Sequence, residues 1–187
     1  MENKKKNYFQ ALYEVAKVVN ASLEPNEVLD KIVHAVAGAM DVKASALRVL
    51  NKAGDRLNMG ACCGLSDGYI RKGPILVEES GLDKKALKGE TIYIQDAQTD
   101  PGFQYKDRAK EEGIRSLLVV PLMVEKKAVG VLRAYTEQVR EFDDDEIKFL
   151  EAAANLSAIA LENARLHAAL KRDYDLLINY QDRLDDN

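Results

Sequence analysis

Two arginines stand where strand-forming apolar residues dominate: Arg48 within Leu47-Arg48-Val49-Leu50, and Arg133 within Val131-Leu132-Arg133-Ala134. A guanidinium binds carboxylate or phosphate through two parallel hydrogen bonds, so each of these positions is a candidate anion site. The plainer outcomes are pairing with a nearby carboxylate or snorkelling of the charged head to solvent. Other chemistry-bearing residues are sparse. Cys62 and Cys63 are sequence neighbours, which makes a poor disulfide framework and no C-x-x-C site. Consecutive strand residues point to opposite faces and bridge with difficulty; both cysteines read as small buried hydrophobes, with a thiol redox sensor as the alternative. His34 and His167 lie far apart in sequence and give metal chemistry little to work with. No Ser/His/Asp set, phosphate loop or paired-carboxylate motif stands out, so no catalytic residue, metal or cofactor is assigned.

The elements that must position these residues follow from periodicity. Phe9, Leu12, Tyr13, Ala16 and Val19 recur at helical spacing and predict an amphipathic first helix. A second helix begins near Pro25, with Val28, Leu29, Ile32, Val33, Val36 and Met40 on its apolar face. A strand over 44–50 turns at Ala53-Gly54-Asp55 into a second over 56–64. Ser80 and Asp83 have capping-box spacing for a short helix that Gly89 can end. Ile92-Tyr93-Ile94 reads as a short strand, Asp100-Pro101-Gly102 as a turn, and a charged helix runs from there to Gly113. The nearly unbroken apolar runs over 116–124 and 128–136 predict two strands buried on both faces, joined by a turn at Glu125-Lys126-Lys127.

The last segment starts with Asp143 as cap, Glu146 three residues on, and Phe142 with Ile147 placed as a hydrophobic staple. Phe149, Ala152, Leu156, Ile159, Asn163, Leu166, Leu170, Asp173, Leu177, Tyr180 and Leu184 then alternate steps of three and four, a heptad register with polar interruptions at Asn163 and Asp173. A helix this long exceeds what the domain can cover, so part of it should pair, most simply with its own copy.

The 187 residues suffice for one domain with a sizeable core plus extra helix, and 47% hydrophobic with 31% charged residues is a globular composition. The net charge of −4 gives nucleic acid no basic surface to meet. No stretch is long and apolar enough to suggest a membrane span or a signal peptide, which makes the cytoplasm the default compartment.

In order, these elements and their motifs resemble a GAF domain, a small-molecule sensing module. The matching stretches are Gly81-Leu82 with Lys88-Gly89-Glu90, Ile94-Gln95-Asp96 with Asp100-Pro101-Gly102-Phe103, and Gly113-Ile114-Arg115-Ser116 leading to Val120-Pro121-Leu122. Gly130-Val131-Leu132, Phe142 through Glu146, and Ala160-Leu161-Glu162-Asn163-Ala164-Arg165-Leu166 complete a pattern reaching from about Tyr8 to Leu166. The resemblance implies an α+β, GAF-like (PAS-related) fold: an antiparallel sheet with the N- and C-terminal helices on one face and a ligand pocket on the other. It makes the strands of Arg48 and Arg133 neighbours in the sheet centre. If Leu132 and Ala134 face the helices, Arg133 faces the pocket, and parity permits Arg48 there too.

The expected ligand-binding set is therefore Arg48 and Arg133, with Asp96, Phe103, Tyr105 and Arg108 where the family's pocket lid forms; ordinary loop anchoring is the alternative for those four. Bilin-binding relatives commonly follow their cysteine with His, whereas Cys63 precedes Gly64. Half of the family's cyclic-nucleotide signature is matched by Phe142, Asp145 and Glu146, but Ala134-Tyr135-Thr136-Glu137 stands in place of the other half. The expected organisation is an N-terminal helix of a dimer bundle over 1–22, a GAF domain over 23–166 and a C-terminal coiled-coil extension over 167–187. Leu156, Ile159, Asn163, Leu166, Leu170 and Leu177 form the expected dimer interface.

The leading expectation is a non-enzymatic sensor of bacterial signalling type, in which an unnamed and possibly anionic small molecule alters the paired terminal helices of a homodimer. A ligand-free dimerisation module and a free methionine-R-sulfoxide reductase-like enzyme are the alternatives, although adjacent strand cysteines do not match that enzyme's loop-spaced pair. No output segment follows the GAF-like region, so the chain is expected to act in trans or to be the sensor portion of a longer protein. Neither nucleic acid nor membrane is an expected partner.

Overall fold

A computed structural model describes the backbone of residues 2–21, 24–71 and 73–185, and the side chains of 8–21, 24–71 and 73–178. The heptad positions Tyr180 and Leu184 lie outside the described side chains. Helices α1 (Glu2–Ala21) and α2 (Pro25–Met40) precede strands β1 (Ala44–Leu50) and β2 (Arg56–Cys63). Next come α3 (Asp67–Ile70), β3 (Ile75–Leu76), a single 3-10 turn (Val77–Glu79), α4 (Gly81–Ala86), β4 (Ile92–Ile94) and α5 (Lys106–Glu112). Strands β5 (Leu117–Val124) and β6 (Lys127–Tyr135) lead into α6 (Asp144–Asp185). The strands form one six-stranded antiparallel sheet in the order β3-β2-β1-β6-β5-β4, which places β1 beside β6 at its centre.

Alternation along the strands separates two cores. Leu47, Leu118, Val120, Leu122, Leu132 and Ala134 face the helix layer of α1, α2 and α6. Ala44, Ala46, Leu57, Leu117, Val119, Val131 and Tyr135 face the other way, toward α4, α5 and the connecting loops. In β2 the parity changes partway: Leu57, Met59 and Cys62 belong with the far core, whereas Ala61 and Cys63 belong with the helix-side core. A β-bulge causes this, because Leu47 pairs with Ala61 and Arg48 with Met59, leaving Gly60 as the extra residue.

The long helix starts as its sequence dictates. The Asp143 N–H donates to Glu146 at 2.9 Å and the Glu146 N–H donates to Asp143 at 2.8 Å, a reciprocal capping box. Its 42 residues span about 63 Å at 1.5 Å per residue, well past the sheet it packs on.

The first helix buries only part of the expected face: Val19 is buried and Leu12 and Ala16 are half-buried. Tyr8, Val15 and Val19 are buried and Tyr8 stacks on Phe149 with ring centroids 4.6 Å apart, while Phe9 and Tyr13 are 73% and 53% exposed. The face is turned by one residue, roughly 100°, because both stripes are apolar and the stack on α6 selects the one bearing Tyr8. Three short elements, α3, β3 and the 3-10 turn, have no counterpart in the sequence reading. They are too short to show periodicity.

Candidate functional site

Arg48 and Arg133 come together on the far face of the sheet. In the β1–β6 register Ala46 opposes Arg133 and Arg48 opposes Val131, so the two arginines are diagonal neighbours on one face. Local backbone features fix Arg48. The Gly60 bulge adjoins it on one side, and on the other a side chain at Gly130 would bring its Cβ to 2.3 Å from the Arg48 carbonyl oxygen. The absence of a side chain at Gly130 is what lets β6 approach β1 here.

Both guanidiniums are buried at 1% exposure, and their partners differ. Arg133 is paired with Asp83 of α4 through an Nη2–Oδ1 ion pair. The other carboxylate oxygen of Asp83 accepts from the Ser80 hydroxyl at 2.7 Å, and Ser80 also caps α4 by accepting from the Asp83 N–H. Burial opposes the charged form of Arg133, but the Asp83 carboxylate outweighs it and holds the guanidinium's pKa above its ordinary value. Among the described residues, no carboxylate is in hydrogen-bond contact with Arg48. Its Nη1 donates to the backbone carbonyls of Leu57 at 3.2 Å and Gly73 at 3.5 Å, and its Nε, like that of Arg133, has no hydrogen-bond partner among the described residues. Burial, then the repulsion of Arg133, lowers the Arg48 pKa.

The buried charged side chains among the described residues are Arg48, Arg133, Asp83 and Glu146. Glu146 is bound by Arg140 at 2.9 Å, at the start of α6. The far core therefore carries two cations and one anion. A buried charge without a counter-ion is costly, so this excess is the most unusual feature of the molecule. Tyr69 and Tyr135, ring centroids 6.3 Å apart, border the cluster, and burial first, with Tyr135 adding, raises the Tyr69 pKa against the opposing field of both arginines.

The lid positions separate into two groups. Phe103 is buried in the far core and meets Tyr105 edge-on at 6.5 Å. Tyr105 is half-buried and its pKa is raised, mainly by burial, within the field of Arg48. Asp96 binds Arg115 with both oxygens, at 3.1 and 2.8 Å, and accepts the Gln98 N–H. Those Arg115 hydrogen bonds hold its carboxyl below the usual aspartate range. Arg108 is exposed on α5, pairs with Glu111 at 3.2 Å and borders a small cleft of about 90 Å³ beside Ser66 and Tyr69. Asp96 thus ties its loop to Arg115, Arg108 stays on the outer surface of α5, and Phe103 and Tyr105 reach the far core.

Asp83 and the two tyrosines were missed as site residues. The S-x-x-D spacing disclosed Asp83 only as a helix cap, and a six-residue helix shows no face from which its inward direction can be read. Burial raises the pKa of both Cys62 and Cys63, which keeps the thiols protonated and poorly nucleophilic.

On α6, Leu156 is half-buried against the helix-side core and Asn163 is exposed, while Ile159, Leu166, Leu170 and Leu177 are 50%, 53%, 69% and 68% exposed. Tyr174 and Ile178 extend this apolar surface. No described helix is long and apolar enough to cross a membrane.

Sheet order, helix placement and sequence together define the class: residues 22–162 match the GAF domain family model, and the chain belongs to that family. Among individual relatives, it is 27% identical over 157 residues to a phosphoenolpyruvate-dependent phosphotransferase system protein of Escherichia coli, covering 84% of this chain and 21% of that protein. The chain thus spans about a fifth of that relative. A solved GAF domain from a Coxiella burnetii phosphoenolpyruvate-protein phosphotransferase superposes with a TM-score of 0.78 at 21% identity, covering 88% of this chain and 98% of that one. Free methionine-R-sulfoxide reductase of Neisseria meningitidis, solved with its substrate, superposes with a TM-score of 0.71 at 20% identity, covering 86% and 91%. At these identities the superpositions establish the shared fold.

Proposed function

We propose that this chain is a non-catalytic sensory GAF module that takes up a small anionic ligand at Arg48 and signals through the terminal helices of a homodimer. The observation that carries the reading is the buried charge excess: Arg48 is 1% exposed and, among the described residues, is paired with no carboxylate, so two buried guanidiniums share the single carboxylate of Asp83. Arg133, held by Asp83, borders the anchor; Phe103 and Tyr105 form the cover, with Asp96 fixed to Arg115 beside it and Arg108 at its outer rim. Strand β6 joins the two faces, because Arg133 stands between Leu132 and Ala134, which pack on the helix layer. A ligand that prefers one arrangement of β1 and β6 thereby biases how α1 and α6 sit.

In the dimer, Leu156, Ile159, Asn163, Leu166, Leu170 and Leu177 pair α6 with its copy. Residues 1–22 and 167–187 serve as helical dimer elements around a sensor body over 23–166. The output is a downstream signalling domain or protein in the cytoplasm. The raised cysteine pKa values favour a sensor over a thiol enzyme.

A ligand-free scaffold is the second reading, favoured by the internal Asp83–Arg133 pair, which already satisfies half of the site. Native mass spectrometry and thermal melting across a series of carboxylates and phosphates separate the two. Two chains per particle, and an anion-dependent rise in melting temperature lost in R48A, are expected. A monomer overturns the helix-pairing mechanism. Melting that no anion raises overturns the sensor and leaves the scaffold.

A further inference from the structure

We propose that Asp83 is an internal counter-carboxylate that sets the charge of the ligand: it fills the Arg133 half of the arginine pair, so the site accepts a monocarboxylate on Arg48 and refuses compact dicarboxylates. This rests on the anion-binding reading above and goes further by fixing the class of anion.

Both oxygens of Asp83 are already used, Oδ1 by the Arg133 guanidinium and Oδ2 by the Ser80 hydroxyl. The charge of Arg133 is therefore met without a ligand, although its Nε, like that of Arg48, has no hydrogen-bond partner among the described residues, and Asp83 lies on the protein side of the charge balance. Arg48 sits diagonally beside it with an unpartnered Nε, spending Nη1 on two backbone carbonyls. Two guanidiniums against one carboxylate leave a single positive charge, which one monoanionic group neutralises. A second carboxylate would add uncompensated negative charge next to Asp83, in a core where like charges strongly disfavour each other. Leu57, Ile75, Phe103 and Tyr69 belong to the hydrophobic core on the same side of the sheet, so the body carried by that carboxylate is apolar or aromatic.

Butyrate and succinate are the test pair, having the same carbon count and one or two carboxylates. In the full chain, calorimetric titration is expected to show butyrate preferred by at least about tenfold. By NMR, butyrate should move the Arg48 Nε–H resonance and leave the Asp83 carboxyl carbon unmoved. D83N frees Arg133 and is expected to erase the preference. Because D83N can fail to fold, the wild-type carboxyl-carbon resonance decides without any variant. If butyrate shifts that carbon, the ligand has displaced Asp83 and this inference fails while anion binding stands. A wild type that prefers succinate, or a folded D83N with an unchanged preference, also overturns it alone. If neither acid binds and the Arg48 resonance stays in place, this inference falls, and the carboxylate and phosphate melting series decides separately whether the anion-binding reading falls with it.

Discussion

The two faces of one sheet are packed by different rules. On the helix side, β5 and β6 offer Leu118, Val120, Leu122, Leu132 and Ala134 to the apolar stripes of α1, α2 and α6. On the far side the same strands share a core with Arg48, Arg133, Asp83 and several tyrosines. One residue along β6, from Leu132 to Arg133, separates a side chain that gains by leaving water from one that loses by it. A domain selected only for stability would have no use for the second kind of core. The difference is the energetic ground for proposing the far side as the binding face.

The sharpest way to break this contrast is to remove the anion. D83A strands Arg133 in the far core and is expected to cost about 3–5 kcal/mol in urea unfolding, since one partner of a buried pair is lost. A cost below about 1 kcal/mol would mean that water reaches Arg133 and that the far face is not a closed core. On the helix side, L132A should cost about 3 kcal/mol through lost burial and a residual cavity, without altering the anion response. An anion response abolished by L132A would merge the two faces into one unit.

Smaller effects sharpen the picture. D143A removes the side chain that accepts the Glu146 N–H at the start of α6 and is expected to cost about 1 kcal/mol. Asp96 has a depressed pKa because Arg115 binds its charged form. Its contribution is present above the ordinary aspartate value of about 3.9 and is lost as pH falls through the lower folded value. Wild type should therefore lose more stability than D96N between pH 5 and pH 3, by urea melts at each pH (both pH values being roughly the window around that pKa). Parallel curves would remove the Arg115–Asp96 pair from the stability of the cover.

Much of the fold was legible because its signals are local and long. The apolar runs of β5 and β6, the face of α2 and the capping box of α6 each declare themselves within a few turns or one strand. Parity alone placed Arg133 opposite Leu132 and Ala134. The site was only half legible. Asp83 meets Arg133 across 50 residues of sequence, and its local role as partner of Ser80 in a cap hid the distant one. The face of α1 was misjudged because Phe9 and Tyr13 are as apolar as the residues that are buried, and only the Tyr8–Phe149 stack distinguishes them. The parity change in β2 depends on the bulge at Gly60, which no alternation pattern announces.

The most direct test replaces Arg48 by methionine, which fills similar space without the charge. If Arg48 is kept for binding, R48M removes an uncompensated buried cation and stabilises the fold, or leaves it unchanged. In anion-free buffer R48M is then expected to melt at or above the wild-type temperature, and to lose the rise that butyrate gives the wild type. An R48M protein that melts well below wild type, with the same response to butyrate, would make Arg48 a structural residue and contradict the reading of the far face as a receptor.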